Sequence, residues 1–213
     1  MDTYWDEFYA KDDLFPEILK PSLFSYEVIQ YLGKDDLVVD IGCGNGRDLN
    51  FFGTKTSNLI GADKSQIALD LIASNFPNLL NSSLIKIDLG LDEDISKLRD
   101  LIYERLKNTD SKLHLYCRFL IHAINDDEFN LLLQLVSDLK NVKPTVFFEY
   151  REFNEHQMNY QFPSHTRYFR KTETIIEALS VHGLTLTHKS TSVDYSPIGN
   201  ERPLLTRLIA EIK

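Results

Sequence analysis

Short apolar runs and amphipathic stretches alternate along most of the chain. The runs are rich in Val, Ile, Leu and Phe, which is typical of buried strands, and the stretches between them repeat apolar residues at helical spacing. The pattern predicts strands over residues 37–40, 58–63, 84–89, 113–119 and 145–151. It predicts helices over residues 22–32, 48–52, 67–72, 92–108 and 127–140. This alternation indicates a mostly parallel sheet with right-handed crossovers.

The last part of the chain breaks this alternation. Apolar periodicity predicts a helix over residues 172–182, ended by Gly183, and then strands over 184–191 and 204–212. A turn through residues 197–200 joins these two strands, and no helix is predicted between them. We therefore predict an α/β fold with a doubly wound, seven-stranded sheet that is mostly parallel and ends in an antiparallel hairpin.

The first predicted strand ends in Asp40 and runs into three glycines, in the sequence V-D-I-G-C-G-N-G-R. Gly42, Gly44 and Gly46 allow positive φ angles and let a ligand approach the bare main chain. A dinucleotide fingerprint places its third glycine one residue later, and a carboxylate at the strand end would repel a pyrophosphate. The Gly-Lys-Ser/Thr of a P-loop is also missing. The turn is therefore predicted to hold a ligand of another kind.

Two further strands end at or near acids, Asp63 and Asp88. Ligands of open α/β sheets bind outside the carboxyl ends of the strands, where these two acids and Asp40 would converge. Asp63 lies about 20 residues beyond the glycines, the distance at which a βαβ nucleotide site places the carboxylate that accepts both ribose hydroxyls. The alternative is that Asp63 is only the N-cap of the helix that follows.

The glycine motif resembles the first motif of class I methyltransferases that depend on S-adenosylmethionine (SAM), and the terminal hairpin is typical of their Rossmann-like fold. The resemblance covers nearly the whole chain and implies one domain over residues 1–213. SAM carries a cationic sulfonium and an amino group, which suit an acid at a strand end. The resemblance implies that Asp88 binds the adenine amino group and that Arg47 faces the methionine carboxylate. The cofactor-binding residues expected on this basis are Asp40, Gly42, Gly44, Arg47, Asp63 and Asp88.

Methyl transfer from SAM is an in-line displacement, so the enzyme mainly aligns the acceptor and supplies a base where the acceptor is a neutral hydroxyl. The residues expected near the methyl group follow strands four and five. His122 is the candidate base, because imidazole titrates near neutral pH, although a single histidine at a helix start is often a packing or capping residue. Arg118 is costly to bury alone, so it pairs either with an acidic substrate group or with Glu149. The candidate catalytic residues are His122, Arg118 and Arg151.

Cations gather in the segment after the fifth strand, although the protein as a whole is acidic. The charged and aromatic residues of this segment include Arg151, His156, His165, Arg167, Tyr168, Arg170 and Lys171. As a long loop at the ligand edge of the sheet, residues 151–171 are expected to cover the substrate and to favour a phosphate, phosphoramidate or carboxylate acceptor. The alternative is a solvated loop whose cations pair with nearby acids. The predicted substrate contacts in this region are Tyr150, His165, Arg167 and Arg170.

The first residues are rich in aromatic side chains, in the sequence Y-W-D-E-F-Y. Such rings need a surface to pack on. Residues 1–33 are expected to form either a helical cap on the core or, as in many class I methyltransferases, a lid that closes over a ligand through Tyr4, Phe8 or Tyr9. Tyr9 is the predicted substrate contact in this segment.

Composition and charge narrow these hypotheses. The chain has 213 residues and a net charge of −9, which argues against a broad nucleic-acid surface but allows a local basic pocket. Cys43 and Cys117 are too few and too internal for a secreted disulfide framework. No signal peptide or membrane-length apolar run is evident, so we expect a soluble, cytoplasmic protein. No cluster of His, Cys and acidic residues has the spacing of a tight metal site.

Three short motifs indicate a substrate class. Y-W-D-E-F-Y, R-F-L-I-H-A-I and F-F-E-Y-R together resemble small class I methyltransferases of bacterial surface-polysaccharide gene clusters. The resemblance implies O-methylation of a small acidic acceptor, such as a sugar phosphate or a surface-glycan precursor. The alternatives are a non-catalytic SAM-binding partner or regulatory subunit, and a methyltransferase acting on tRNA. A nucleotide-binding oxidoreductase is disfavoured by the glycine spacing and by the three strand-end acids.

Overall fold

The computed structural model describes residues 4–10, 20–79, 82–152, 166–196 and 202–212. These residues form a seven-stranded sheet with helices on both faces. The strands are β1 (Leu37–Ile41), β2 (Leu59–Asp63), β3 (Ser83–Lys86), β4 (Leu113–Arg118), β5 (Thr145–Arg151), β6 (Leu184–Ser192) and β7 (Leu205–Ile212). The helices are α1 (Tyr4–Tyr9), α2 (Leu23–Val28), α3 (Arg47–Phe52), α4 (Gln66–Asn75), α5 (Asp92–Leu106), α6 (Asp126–Asp138) and α7 (Thr172–Val181).

Parallel pairing dominates the sheet, whose strand order is β3-β2-β1-β4-β5-β7-β6. β1 pairs in parallel with β2 and β4, whereas β7 runs antiparallel to both of its neighbours, β5 and β6. The predicted fold class, a Rossmann-like doubly wound sheet that is mostly parallel with a C-terminal antiparallel hairpin, is therefore confirmed. The strand order reverses between β1 and β4, and open α/β sheets bind ligands at the carboxyl edge beside such a point.

Local sequence explains where several helices begin. The side chains of Ser22 and Ser65 cap α2 and α4, because each hydroxyl oxygen accepts a hydrogen bond from a backbone N–H in the first turn. Asn125 and Glu128 form a capping box at the start of α6. The observed helices and strands begin within a few residues of the predicted positions.

The third strand is shorter than its apolar pattern predicts. β3 ends at Lys86, and it lies at the edge of the sheet beside β2. Beyond Lys86 the chain leaves the sheet and buries Ile87 and Leu89 in the same apolar cluster as one face of α5. Asp88 therefore lies in a loop at the ligand edge of the sheet and not in a strand.

Two apolar layers cover the faces of the sheet. The larger layer packs α5, α6 and α7 against one face, and the smaller layer packs α2, α3 and α4 against the other. All residues of β1 are buried, as expected for a central parallel strand with helices on both sides. This packing fixes the carboxyl ends of β1, β2 and β4 beside one another.

The described residues contain neither a candidate membrane-spanning helix nor a candidate metal-binding group of side chains. In that part of the chain, no helix is both long enough and apolar enough to cross a membrane. Nor do His, Cys, Asp or Glu side chains of the described residues form a group of three or more that could hold a metal ion. Cys43 and Cys117 are free thiols in the interior, and burial raises the pKa of each of them.

Candidate functional site

A cleft of about 500 Å³ opens at the carboxyl edge of the sheet. It is bounded by the glycine turn after β1, the ends of β2 and β4, the loop after β3, the segment that follows β4, helix α1 and residues 166–168. Its volume lies in the usual range of small-molecule sites, roughly 300–1,000 Å³. The cleft lies beside the reversal of strand order, where an open α/β sheet is expected to bind its ligand.

The glycine turn on one side of the cleft has a left-handed backbone. The φ angle is +54° at Gly44 and +75° at Gly46, a conformation that glycine adopts without strain. Neighbouring side chains also leave no room for a Cβ atom. At Gly44 it would overlap the hydroxyl oxygen of Tyr9, and at Gly46 it would lie 2.6 Å from Cγ1 of Ile72. Conformation and packing therefore both restrict the turn to glycine.

Asp63, at the end of β2, joins the glycine turn to the start of α4. Its Oδ2 accepts a hydrogen bond from the backbone N–H of Gly44 at 2.8 Å, and its Oδ1 accepts one from that of Ser65 at 2.9 Å. Burial raises the pKa of Asp63, and these backbone hydrogen bonds oppose that shift. The N-cap of α4 is Ser65, so the interpretation of Asp63 as a helix cap is wrong.

Asp40, at the end of β1, is a buried carboxyl group in the wall of the cleft. Burial, and then the negative charges of Asp48 and Asp63, hold the pKa of Asp40 well above its usual range. A buried carboxylate with two acidic neighbours is stabilised by a positive charge placed beside it. The charges of Arg118 and Arg47 partly oppose this shift in pKa, and a cationic ligand beside Asp40 would oppose it further.

Asp88 completes the set of three acids that line the cleft, as the sequence predicts. Its Oδ2 lies 3.0 Å from Nζ of Lys64, and its Oδ1 accepts a hydrogen bond from the backbone N–H of Gly90 at 2.9 Å. The side chain is about one-third exposed, so this ion pair contributes little to stability. Because the side chain lines the cleft and is partly exposed, the carboxylate is accessible to a ligand.

Helix α1 contributes aromatic side chains to the wall of the cleft. Tyr4, Trp5, Phe8 and Tyr9 all line the cleft, and their rings also contact one another. The carboxylate of Asp6 accepts a hydrogen bond from the hydroxyl of Ser65, which fastens α1 to the start of α4. Burial, and then the charge of Asp63, raise the pKa of Tyr9 well above its usual range.

Arg47, the first residue of α3, also lines the cleft. Its Nη1 donates a hydrogen bond to the carbonyl oxygen of Lys20 at 3.2 Å. Burial, and then the positive charge of Arg118, lower the pKa of Arg47. The glycine turn is thus flanked by a guanidinium group as well as by carboxylates.

Asp48 is a buried residue of the site that sequence reasoning did not single out. Its carboxylate accepts hydrogen bonds from the backbone N–H and hydroxyl of Ser22, at 2.7 and 2.8 Å, and from the hydroxyl of Tyr116 at 2.8 Å. Burial alone would raise the pKa of Asp48, but the charges of neighbouring arginines hold it below its usual range. Helical spacing could have indicated its burial: Asp48 lies four residues before the apolar Phe52, so the two side chains lie on the same face of α3.

Arg118, at the end of β4, pairs with an internal carboxylate. Its Nε donates to Oε1 of Glu149 at 2.8 Å, while Oε2 of Glu149 accepts a hydrogen bond from Nε of Arg207 at 2.7 Å. Arg207 in turn donates to Glu27 at 2.9 Å. Of the two partners considered for Arg118, the structure therefore shows Glu149. The guanidinium still lines the cleft, where Glu149 holds it in a fixed orientation.

His122 lies in the segment after β4 and faces the cleft. Its Nδ1 accepts a hydrogen bond from the backbone N–H of Arg151 at 3.2 Å. The neutral ring therefore carries its proton on Nε2, which makes Nε2 a donor. A base acting through Nε2 would need the other tautomer. The geometry thus favours a hydrogen-bonding role for His122 over the predicted role as a base.

Two residues expected to contact the substrate lie away from the cleft. Tyr150 is buried in the core, and its hydroxyl lies 2.8 Å from Oγ1 of Thr172. Successive side chains along β5 alternate between the two faces of the sheet, so Tyr150 points away from the face that its neighbour Arg151 occupies. Arg170 pairs with Asp126 at 2.6 Å and donates to the carbonyl oxygen of Ile121. Both side chains therefore connect structural elements.

Of the other predicted substrate contacts, Tyr9 and Arg167 line the cleft. Arg151 also lines it, together with Tyr168, whose backbone N–H donates to the carbonyl oxygen of His122 at 2.9 Å. This bond joins the end of the 151–171 segment to the segment after β4. His156 and His165 lie outside the described residues.

Solved structures identify the fold. A SAM-dependent methyltransferase from Anabaena variabilis is 16% identical with a TM-score of 0.70, over 99% of this chain and 93% of its own. The magnesium protoporphyrin IX methyltransferase from Synechocystis, solved with bound SAH, is 14% identical with a TM-score of 0.64, over 98% and 93% of the two chains. The glycopeptide N-methyltransferase MtfA, complexed with sinefungin, is 10% identical with a TM-score of 0.60, over 91% and 87%.

The similarity is one of structure over almost the whole chain. No protein-family model matches the sequence, and no curated protein matches it. The strand order, the terminal hairpin and the structural neighbours together show that the chain has the fold of class I SAM-dependent methyltransferases. In that fold the glycine turn and the strand-end acids of this chain share one cleft.

Proposed function

We propose that the protein is a SAM-dependent methyltransferase. The observation that carries this proposal is the convergence of a left-handed glycine turn with three strand-end carboxylates, Asp40, Asp63 and Asp88, in one cleft. A sulfonium or amino group beside Asp40 and Asp63 would stabilise their charged forms, which burial disfavours, whereas a pyrophosphate or triphosphate would not. Structural neighbours solved with SAH and with sinefungin support the same cofactor.

The residues of the cleft fit SAM by their chemistry. With SAM bound, Asp63 would accept hydrogen bonds from the ribose hydroxyls, Asp40 would face the positive charge of SAM, and Asp88 would accept a hydrogen bond from the adenine amino group. Arg47 binds the methionine carboxylate through a charge-assisted hydrogen bond. When bound, SAM supplies an activated methyl group, so the chain itself needs to hold and align the two reactants.

We assign the acceptor to the part of the cleft that is lined by Arg118, Arg151 and Arg167, which bring positive charge. Guanidinium groups favour a phosphate or carboxylate on the acceptor, because they form paired hydrogen bonds with such anions. The acceptor is therefore a small acidic molecule, methylated on oxygen. A sugar phosphate or surface-glycan precursor is the particular class that the three short sequence motifs favour.

The proposal is tested by methyl transfer from labelled SAM, with product masses recorded. The acceptor panel contains sugar phosphates, nucleotide-linked sugars, phosphoramidate sugars, small carboxylic acids and bulk tRNA. Label on an acidic small molecule is the expected result and identifies the methylated atom. Label on tRNA alone would contradict the assignment of a small acceptor. SAM binding without any transfer would favour a non-catalytic, SAM-binding partner protein.

Replacing His122 with glutamine is expected to lower kcat about 10²-fold, because the flexible amide does not hold the donor in the position that ring packing against Phe119 and Phe169 gives Nε2. The Kd for SAM should change by less than about twofold, since the contacts shown for the side chain of His122 are with Arg151, Phe119 and Phe169 and not with the proposed cofactor residues. Steady-state kinetics on the acceptor found above and a SAM titration give the two numbers. His188→Gln, on exposed β6, is the matched control and should be fully active. Full activity of the His122→Gln variant would show that His122 does not contribute to turnover.

A further inference from the structure

Phe119 has a backbone conformation that a phenylalanine rarely adopts. It directly follows β4, and its φ angle is +58°. Its backbone N–H donates to the carbonyl oxygen of Glu149 at 2.7 Å, which continues the pairing of β4 with β5 and fixes the chain in this turn. Glycine or asparagine would adopt the left-handed conformation at lower cost than a residue with a bulky side chain. Strained backbone of this kind often lies at ligand sites, and here the pairing of β4 with β5 holds it in place.

The ring of Phe119 lies among the cations of the cleft. The guanidinium carbon of Arg118 is 4.1 Å from the ring centroid, and that of Arg151 is 6.0 Å away. The ring of His122 meets it edge-on, with the centroids 5.4 Å apart. The ring is partly exposed and lines the cleft. Phe119 is therefore an apolar surface surrounded by groups that attract anions.

The same segment also touches the glycine turn. Leu120, next to Phe119, lies where a Cβ atom on Gly42 would approach its Cδ1 to 3.1 Å. The segment therefore contacts the glycine turn through Leu120 and the guanidinium groups of Arg118 and Arg151 through Phe119. A molecule packed on the ring of Phe119 would lie beside the proposed cofactor site.

We propose that Phe119 is the specificity-determining residue of the acceptor site and selects an organic anion that contains a ring. The flat or apolar face of that ring packs against Phe119, and its phosphate or carboxylate group binds Arg151 and Arg167. Aromatic packing favours such a ligand over the bare anion. This inference rests on the proposed function in taking the ligand to be the methyl acceptor. The ligand is defined by a ring and a phosphate or carboxylate group, which an aromatic acid and a sugar phosphate both have.

Calorimetric titrations of the SAH complex with inorganic phosphate, phenyl phosphate and glucose 1-phosphate test the inference. We expect the wild type to bind at least one ring-bearing phosphate about tenfold more tightly than inorganic phosphate. Phe119→Asn should remove this preference, leave the affinity for inorganic phosphate within about twofold, and keep the melting temperature of the wild type, because asparagine tolerates the left-handed backbone. Phe119→Tyr should retain the preference.

Lys143→Asn is the matched control, since Lys143 is an exposed left-handed residue away from the cleft, with a φ of +48°. It should leave all affinities unchanged. A wild type that binds the ring-bearing phosphates no better than inorganic phosphate would overturn the inference. So would an equal loss of all three affinities in Phe119→Asn, which would show that the ring only positions the arginines. Failure to bind SAH would contradict the proposed function instead, and the same phosphate series on the SAH-free protein would still decide the role of Phe119.

Discussion

Replacing Glu149 with alanine is expected to destabilise the protein by about 3–5 kcal/mol, the usual cost of removing one partner from a buried ion pair. Its carboxylate has no solvent exposure and pairs with Arg118 and Arg207, which are themselves nearly buried. Nη2 of Arg207 already finds no hydrogen-bond partner among the described residues. Without Glu149, two guanidinium groups would stay in the interior with no shared counter-charge. Urea unfolding followed by circular dichroism measures the change.

Glu27→Ala is the matched control for this prediction. Glu27 binds the outer side of Arg207, but its side chain is 30% exposed, so its loss should cost less than about 1 kcal/mol. Glu149→Gln keeps the shape and an accepting oxygen and should fall between the two. Equal destabilisation by Glu149→Ala and Glu27→Ala would contradict the central place given to Glu149.

Replacing Asp63 with alanine is expected to weaken SAM binding by about 10²-fold or more, because hydrogen bonds to a charged group contribute about 1.5–3 kcal/mol each. The change removes the proposed contacts to the ribose hydroxyls and also the acceptor that holds the backbone N–H groups of Gly44 and Ser65. Equilibrium dialysis with labelled SAM gives the affinity, and circular dichroism checks that the variant is folded.

Asp70→Ala controls for the loss of an acid near the same helix. Asp70 lies on the exposed side of α4, where it accepts a hydrogen bond from Gln66, and its loss should leave SAM affinity unchanged. Asp63→Asn retains one accepting oxygen and should bind SAM with intermediate affinity. If Asp63→Ala bound SAM as tightly as the wild type, the assignment of Asp63 to the ribose would be wrong.

Most of the fold could be predicted because its determinants are local. Apolar runs, helix caps and the break in alternation after Gly183 are all readable along the chain, and they led to the correct sheet. The convergence of Asp40, Asp63 and Asp88 followed from one rule, that parallel strands present their carboxyl ends at the same edge. These predictions needed no knowledge of which side chains touch.

The errors arose where the outcome depends on distant partners. β5 is buried on both faces, so its sequence does not show which of Tyr150 and Arg151 points toward the cleft. The sequence does not show that Arg170 pairs with Asp126, because the two residues lie 44 positions apart, and Arg170 is therefore wrongly predicted to contact the substrate. The left-handed backbone of Phe119 has no signal in the residue type, since it is imposed by the pairing of β4 with β5.

The most direct test of the central claim is a calorimetric titration of the wild-type protein with SAM, run in parallel with NAD⁺. The cleft described above predicts saturable binding of one SAM per chain and no heat from NAD⁺, because its carboxylates attract the sulfonium and repel a pyrophosphate. A folded protein that gives no heat with SAM, or one that binds NAD⁺ in its place, would contradict the account.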